Sequence, residues 1–116
     1  MTDKVVLLAF KGEMMCFVHV LLNALDMKQR DIDVKIILEG AATAQVAELA
    51  DEEAEFADLY ARVREAGLID SVCQACAHKM GSLSAAKEQG LPIVADMSGH
   101  PPIGSYVREG YQVITF

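Results

Sequence analysis

Tryptophan is absent from this chain, and three Tyr and four Phe are its only aromatic residues. With 53% of the residues hydrophobic, the core must be built from aliphatic side chains: Val, Leu, Ile, Ala and Met. Basic residues are also scarce. Ten Lys and Arg stand against seventeen Asp and Glu, a formal charge of −7. No cluster of positive charge is available to neutralise phosphates, which argues against a nucleic-acid or anionic-membrane surface. No apolar run reaches the length of a membrane span. Val5-Val6-Leu7-Leu8-Ala9-Phe10 is too short for a secretory h-region and is followed by no convincing cleavage site. Three cysteines are an odd number, and a disulfide framework would be unusual in a chain with this much core. The expected location is a reducing cytoplasm.

Several motifs are missing as well. The chain has no GxxxxGK[ST] phosphate loop, no GxGxxG after the first strand and no GxSxG elbow. Thioredoxin-like proteins carry their CxxC after an early strand, whereas the CxxC of this chain lies in its C-terminal half.

The 116 residues suffice for one domain with a real core. Their pattern alternates strand and helix. Residues 4–10 read as a continuous apolar strand of the kind buried on both faces of a parallel sheet. A Met- and Leu-rich helix is expected over residues 13–28, and a second strand over 34–38. A long acidic helix should start at Thr43 or Ala44 and stop at Gly67. Strands over 68–73, 91–95 and 111–115 follow. A helix over 76–87, with Gly81-Ser82 as a point of interruption, and a short one over 103–108 lie between them. Such alternation implies an α/β fold, with a parallel sheet covered by helices on both faces.

Ligands of open α/β sheets sit beyond the carboxyl ends of the strands. That edge should gather Lys11-Gly12, Glu39-Gly40, Cys73 to His78 and Met97 to His100. Among these, Ser71-Val72-Cys73-Gln74-Ala75-Cys76-Ala77-His78 carries the most chemistry. Two cysteines three apart, where a strand gives way to a helix, lie near unpaired N–H groups that favour thiolate. The pair has three readings: a two-thiol redox centre, half of a zinc site, or a single nucleophilic thiol at Cys73 with Cys76 incidental. A structural zinc site needs two further ligands, for which Cys16, His19, His78 and His100 are the available candidates. Cysteine also packs as a small core residue.

His78 either lowers a thiol pKa and relays a proton or is an exposed helix histidine. His100 sits in a turn aimed at the same edge. Cys16, His19 and Asn23 share one side of the first helix among apolar neighbours, where packing in the core or against another subunit is the simpler role. The acidic run Glu48, Asp51, Glu52, Glu53, Glu55 and Asp58 reads as a solvated face or as a docking surface for a basic partner. The first helix is apolar over more than one face, which points to a subunit contact.

One resemblance rests on the second half of the chain. Ile69-Asp70-Ser71-Val72-Cys73, a helix running to Gly90, Leu91-Pro92-Ile93-Val94-Ala95, the Ser98-Gly99-His100 turn and Glu109-Gly110-Tyr111-Gln112-Val113-Ile114 together resemble the DsrE/DsrF-like (DsrEFH) family of small sulfur-handling proteins. The resemblance implies a three-layer α/β/α sandwich with a five-stranded, largely parallel sheet. It also implies homotrimers or hexamers and relay of persulfide sulfur by Cys73, with a donor or acceptor protein as partner. Cys76 is a departure from the family pattern; with Cys73 as the entry thiol, Cys76 is expected as a resolving thiol that releases the sulfur by forming a disulfide.

The expectation is therefore a sulfur carrier or sulfurtransferase using Cys73, Cys76 and His78, with no cofactor and no metal. The alternative is a non-catalytic oligomeric module that binds a small ligand or a soft metal.

Overall fold

Strand β1 (Lys4–Ala9) lies inside the sheet with a strand on either side, and beyond Lys4 its side chains are apolar on both faces. Val5, Leu7 and Ala9 point into the larger of two cores, and Val6 and Leu8 into the smaller. This computed structural model describes residues 3–116. Among them β1 is joined by β2 (Asp33–Leu38), β3 (Ile69–Cys73), β4 (Ile93–Val94) and β5 (Gln112–Thr115). The strands form one sheet in the order β4-β3-β2-β1-β5, and every neighbouring pair is parallel.

Parallel neighbours require crossovers, and these supply the outer layers. Helix α1 (Met14–Gln29) lays Phe17, Val20, Leu21 and Ala24 on the sheet, while Met15 and Leu22 remain exposed. Helices α2 (Ala44–Glu48), α3 (Ala57–Glu65), α4 (Gln74–Lys79) and α5 (Leu83–Glu88) cover the same face through Val46, Tyr60, Val63, Ala77 and Ala86. Helix α6 (Ile103–Arg108) covers the other face. Its Tyr106 hydroxyl donates to Asp70 Oδ2 at 2.6 Å and lies 3.2 Å from the Ser71 hydroxyl. The result is a three-layer α/β/α sandwich, thick on one side and thin on the other.

The long acidic helix expected from Thr43 to Gly67 is instead two helices, α2 and α3, separated by residues 49–56. The acidic residues that made the segment look like one solvated helix face are what break it. Asp51 Oδ1 accepts the Glu53 amide at 2.9 Å, a local bond that competes with the helical ladder. Clustered like charges also disfavour a continuous helix there. The interruption expected at Gly81-Ser82 is present, between α4 and α5. No helix among the described residues is long and apolar enough to cross a membrane.

Candidate functional site

The carboxyl edge of β2, β3 and β4 brings together four side chains from three loops. Cys73 ends β3 and caps α4: its backbone is still extended (φ −64°, ψ 118°), and its Sγ accepts the Cys76 amide at 3.4 Å. Cys76 then follows within the first turn of α4. Glu39 leaves β2, its amide still paired with the Ala9 carbonyl at 2.9 Å, and its carboxylate is buried. His100 arrives from the loop after β4.

The His100 loop is shaped by a tight turn. Met97 and His100 bridge each other through both backbone pairs, and the corner residues Ser98 and Gly99 have φ of 50° and 94°. The Ala75 amide of α4 donates to the Gly99 carbonyl at 3.0 Å, which fastens the turn onto the helix carrying the cysteines. A Cβ on residue 99 would lie 3.1 Å from the Ala75 Cβ. Glycine here supplies both the left-handed backbone and the close approach. Gly40 plays a similar part beside Glu39, since a Cβ there would meet the Phe10 ring at 2.8 Å.

These loops converge on one imidazole nitrogen. His100 Nδ1 is 3.0 Å from Cys73 Sγ, 3.8 Å from Cys76 Sγ and 3.5 Å from Glu39 Oε1. The ligand atoms of all four residues lie within 4.8 Å of one another. Cys73 is fully buried, Cys76 half-buried, and the His100 side chain 38% exposed.

This geometry is unlike a nucleophile–base–orienter triad. A triad uses both ring nitrogens, one toward the nucleophile and the other toward the carboxylate. Here the thiol and the carboxylate share Nδ1, so the ring cannot relay a proton from one to the other. Four Lewis bases around a common point suit a cation instead. In a tetrahedral site with metal–sulfur bonds near 2.3 Å and metal–nitrogen bonds near 2.0 Å, the ligand atoms stand roughly 3.3–3.8 Å apart.

Burial pushes the Cys73 thiol up to about 12, reinforced by the Cys76 side chain and the Glu39 charge and opposed by the Cys76 amide. The sequence led to the opposite expectation, a thiolate favoured by the helix start. Helix α4 has only six residues, and its single well-placed amide does not offset the loss of water around a buried sulfur. Without a cation beside it, Cys73 is a protonated thiol at neutral pH and a poor nucleophile.

Of the expected site residues, Cys73 and Cys76 fall in the cluster and His78 does not. His78 is an exposed residue of α4 and does not join the clustered ligand atoms. Cys16 and His19 are on α1, also outside the cluster. His100, expected from the sequence as a turn residue facing this edge and as one of four candidate further ligands, is at its centre. Glu39 was not among the candidate ligands, because only Cys and His were counted. Its one sequence signal is its place at the carboxyl end of a strand, immediately before a glycine.

No family model matches the chain. A conserved protein of unknown function from Bacteroides thetaiotaomicron, BT1422, shares the fold, with a TM-score of 0.72 at 22% identity over 98% of this chain and 95% of that one. An uncharacterized protein of Archaeoglobus fulgidus is 46% identical over 37 residues, its whole length and 32% of this chain. The uncharacterized protein MJ0733 of Methanocaldococcus jannaschii is 31% identical over 96 residues, which span 83% of this chain and 76% of that protein. Identity at that level over most of both sequences places the two in one family, and the chain belongs to the family of MJ0733.

Proposed function

We propose that the protein is a binding module for one divalent ion of the zinc class, held by Glu39, Cys73, Cys76 and His100. The observation that carries this reading is the convergence of two sulfurs, one imidazole nitrogen and one carboxylate oxygen within 4.8 Å. Thiolate and imidazole donors together select zinc among the common cellular divalent ions, and a carboxylate completes a tetrahedron. Magnesium and calcium, which require oxygen ligands, do not suit this set. A bound cation also accounts for the environment of Cys73, since coordination replaces the thiol proton and supplies the positive charge that its surroundings lack.

Equilibrium dialysis of the reduced protein with Zn²⁺, followed by native mass spectrometry, tests the proposal. The expected result is one ion per chain, lost in Cys73→Ser and weakened at least about tenfold in Glu39→Gln. Cobalt in place of zinc should give the intense visible bands of a tetrahedral thiolate site. Uptake by the wild type no greater than by Cys73→Ser would refute the reading.

A second reading is sulfur relay, as the DsrE/DsrF-like resemblance implies. It is favoured by the partial exposure of Cys76, which leaves one of the two thiols open to a donor. A mass gain of about 32 Da on a cysteine after treatment with a sulfane donor, in protein free of metal, would support it. The exposed Met15 and Leu22 of α1 support the self-association expected of that helix, and light scattering showing a strict monomer would count against it.

A further inference from the structure

The two sulfurs of the cluster differ sharply in access. Cys73 is fully buried behind the Gly99–His100 turn. Cys76 is half-buried and borders a cavity of about 220 Å³ whose other walls are Gly40, Ala41, Lys79 and Met80. That volume admits a molecule the size of hydrogen peroxide with room to spare, since a water occupies about 30 Å³. Lys79, one helical turn beyond Cys76, adds a positive charge to the wall, and such a charge stabilises an anionic leaving group.

We propose that Cys76 is a modification site for two-electron oxidants of the peroxide class, and that its oxidation closes a Cys73–Cys76 disulfide that discharges the bound metal. This rests on the metal reading above. The Cys76 thiolate attacks one peroxide oxygen, forming an S–O bond as the O–O bond breaks, and the departing hydroxide takes a proton from solvent to become water. The Cys73 thiolate then attacks the Cys76 sulfur, forming the S–S bond and expelling the second hydroxide, which is also protonated to water. The two sulfurs together lose two electrons, the peroxide gains them, and zinc keeps its charge throughout.

The arrangement favours closure. Both sulfurs lie against the same nitrogen, and Cys73 Sγ already rests on the Cys76 amide. Reaching a bond of about 2.05 Å from their present positions takes a movement of no more than roughly 3 Å. A disulfide no longer offers two anionic ligands. Glu39 and His100 remain, and one carboxylate with one imidazole is too weak a set to retain the ion. The order of attack inverts the roles expected from sequence, where Cys73 was the entry thiol and Cys76 the resolving one.

The test uses the zinc-loaded wild type treated with hydrogen peroxide, with a chromogenic chelator reporting released zinc and intact mass reporting the protein. Release of the bound zinc together with a loss of about 2 Da is expected, and dithiothreitol with fresh zinc should reverse both. Brief treatment in the presence of dimedone should place the adduct on Cys76, and Cys76→Ser should carry none on Cys73. If the wild type holds no zinc before oxidant is added, the metal reading fails and the discharge fails with it. Three outcomes overturn this inference alone: zinc retained under peroxide, zinc released without the mass loss, or a dimedone adduct on Cys73.

Discussion

At Cys73 two influences act on one thiol in opposite senses. The Cys76 amide stabilises its anion, and burial destabilises it. Only the first is visible in a sequence, because strand-to-helix junctions can be read from residue pattern and the depth of a loop cannot. The structural balance predicts that iodoacetamide at neutral pH modifies Cys76 and Cys16, both half-buried, well before Cys73 in metal-free protein. Peptide mapping over time would show it, and Cys73 labelled first would contradict the burial argument. Tyr60 offers a second test. Desolvation pushes its phenol up to about 12, with Arg64 acting weakly against this, while its hydroxyl donates to Gln89. The folded state therefore prefers the neutral phenol. That contribution is fully present below pH 10 and is lost as pH rises toward 12, on the order of 2 to 3 kcal/mol across the window. Tyr60→Phe removes the titrating group, so the stability difference between wild type and variant should shift against the wild type between pH 10 and 12. Denaturant melts across that range measure it, and a parallel pH dependence in both proteins would exclude Tyr60 as the cause.

At the scale of elements, the strands and α1 were legible because their hydrophobic runs are long or their period is clear. The residues that join elements were less so. The split between α2 and α3 coincides with a local bond that the Glu53 amide donates to the Asp51 carboxylate, which competes with a helix that the apolar stripe alone would favour. Glu39 is placed at this edge by the alternation of elements, but an acidic residue at a strand end is usually solvated, and its burial depends on how β2 and the Gly99 turn pack together. The Ser98–Gly99 turn was readable as a turn, but its attachment to α4 was not. That attachment makes Gly99 a sensitive position. Gly99→Ala forces a side chain into a backbone with φ of 94° and against Ala75, costing about 1 to 2 kcal/mol and displacing His100 from the sulfurs. The variant should stay folded by circular dichroism while its zinc affinity falls at least about tenfold, as happens when ligand orientation is lost. Unchanged affinity would mean that His100 does not depend on this turn for its position.

Across the whole molecule, the cluster lies at the carboxyl edge of the sheet, as the alternation of strands and helices led us to expect. It does not lie where the chain order reverses. That crevice falls between β1 and β5, whereas the four ligands come from the ends of β2, β3 and β4. Sheet order could not be read from the sequence, so the sequence could identify the edge without identifying the strands that share it. The position has a consequence for stability. Loops after three adjacent strands meet at one point, and the short β4 is held to β3 by only two paired residues, Ile93 and Val94. An ion bridging Glu39, Cys73, Cys76 and His100 would tie the end of β2, the start of α4 and the β4–α6 connection together in the folded state only. At free zinc a hundredfold above its dissociation constant, that linkage adds about 2.7 kcal/mol. For a domain of this size the gain corresponds to a rise on the order of 10 °C in Tm. Thermal melts of the reduced protein with zinc and with a chelator should differ by that amount. Cys73→Ser should show no difference, and neither should wild type in which the cysteine pair has been oxidised beforehand. A zinc-dependent rise that persists in Cys73→Ser would locate the stabilising ion elsewhere on the acidic surface, away from the carboxyl edge of the sheet.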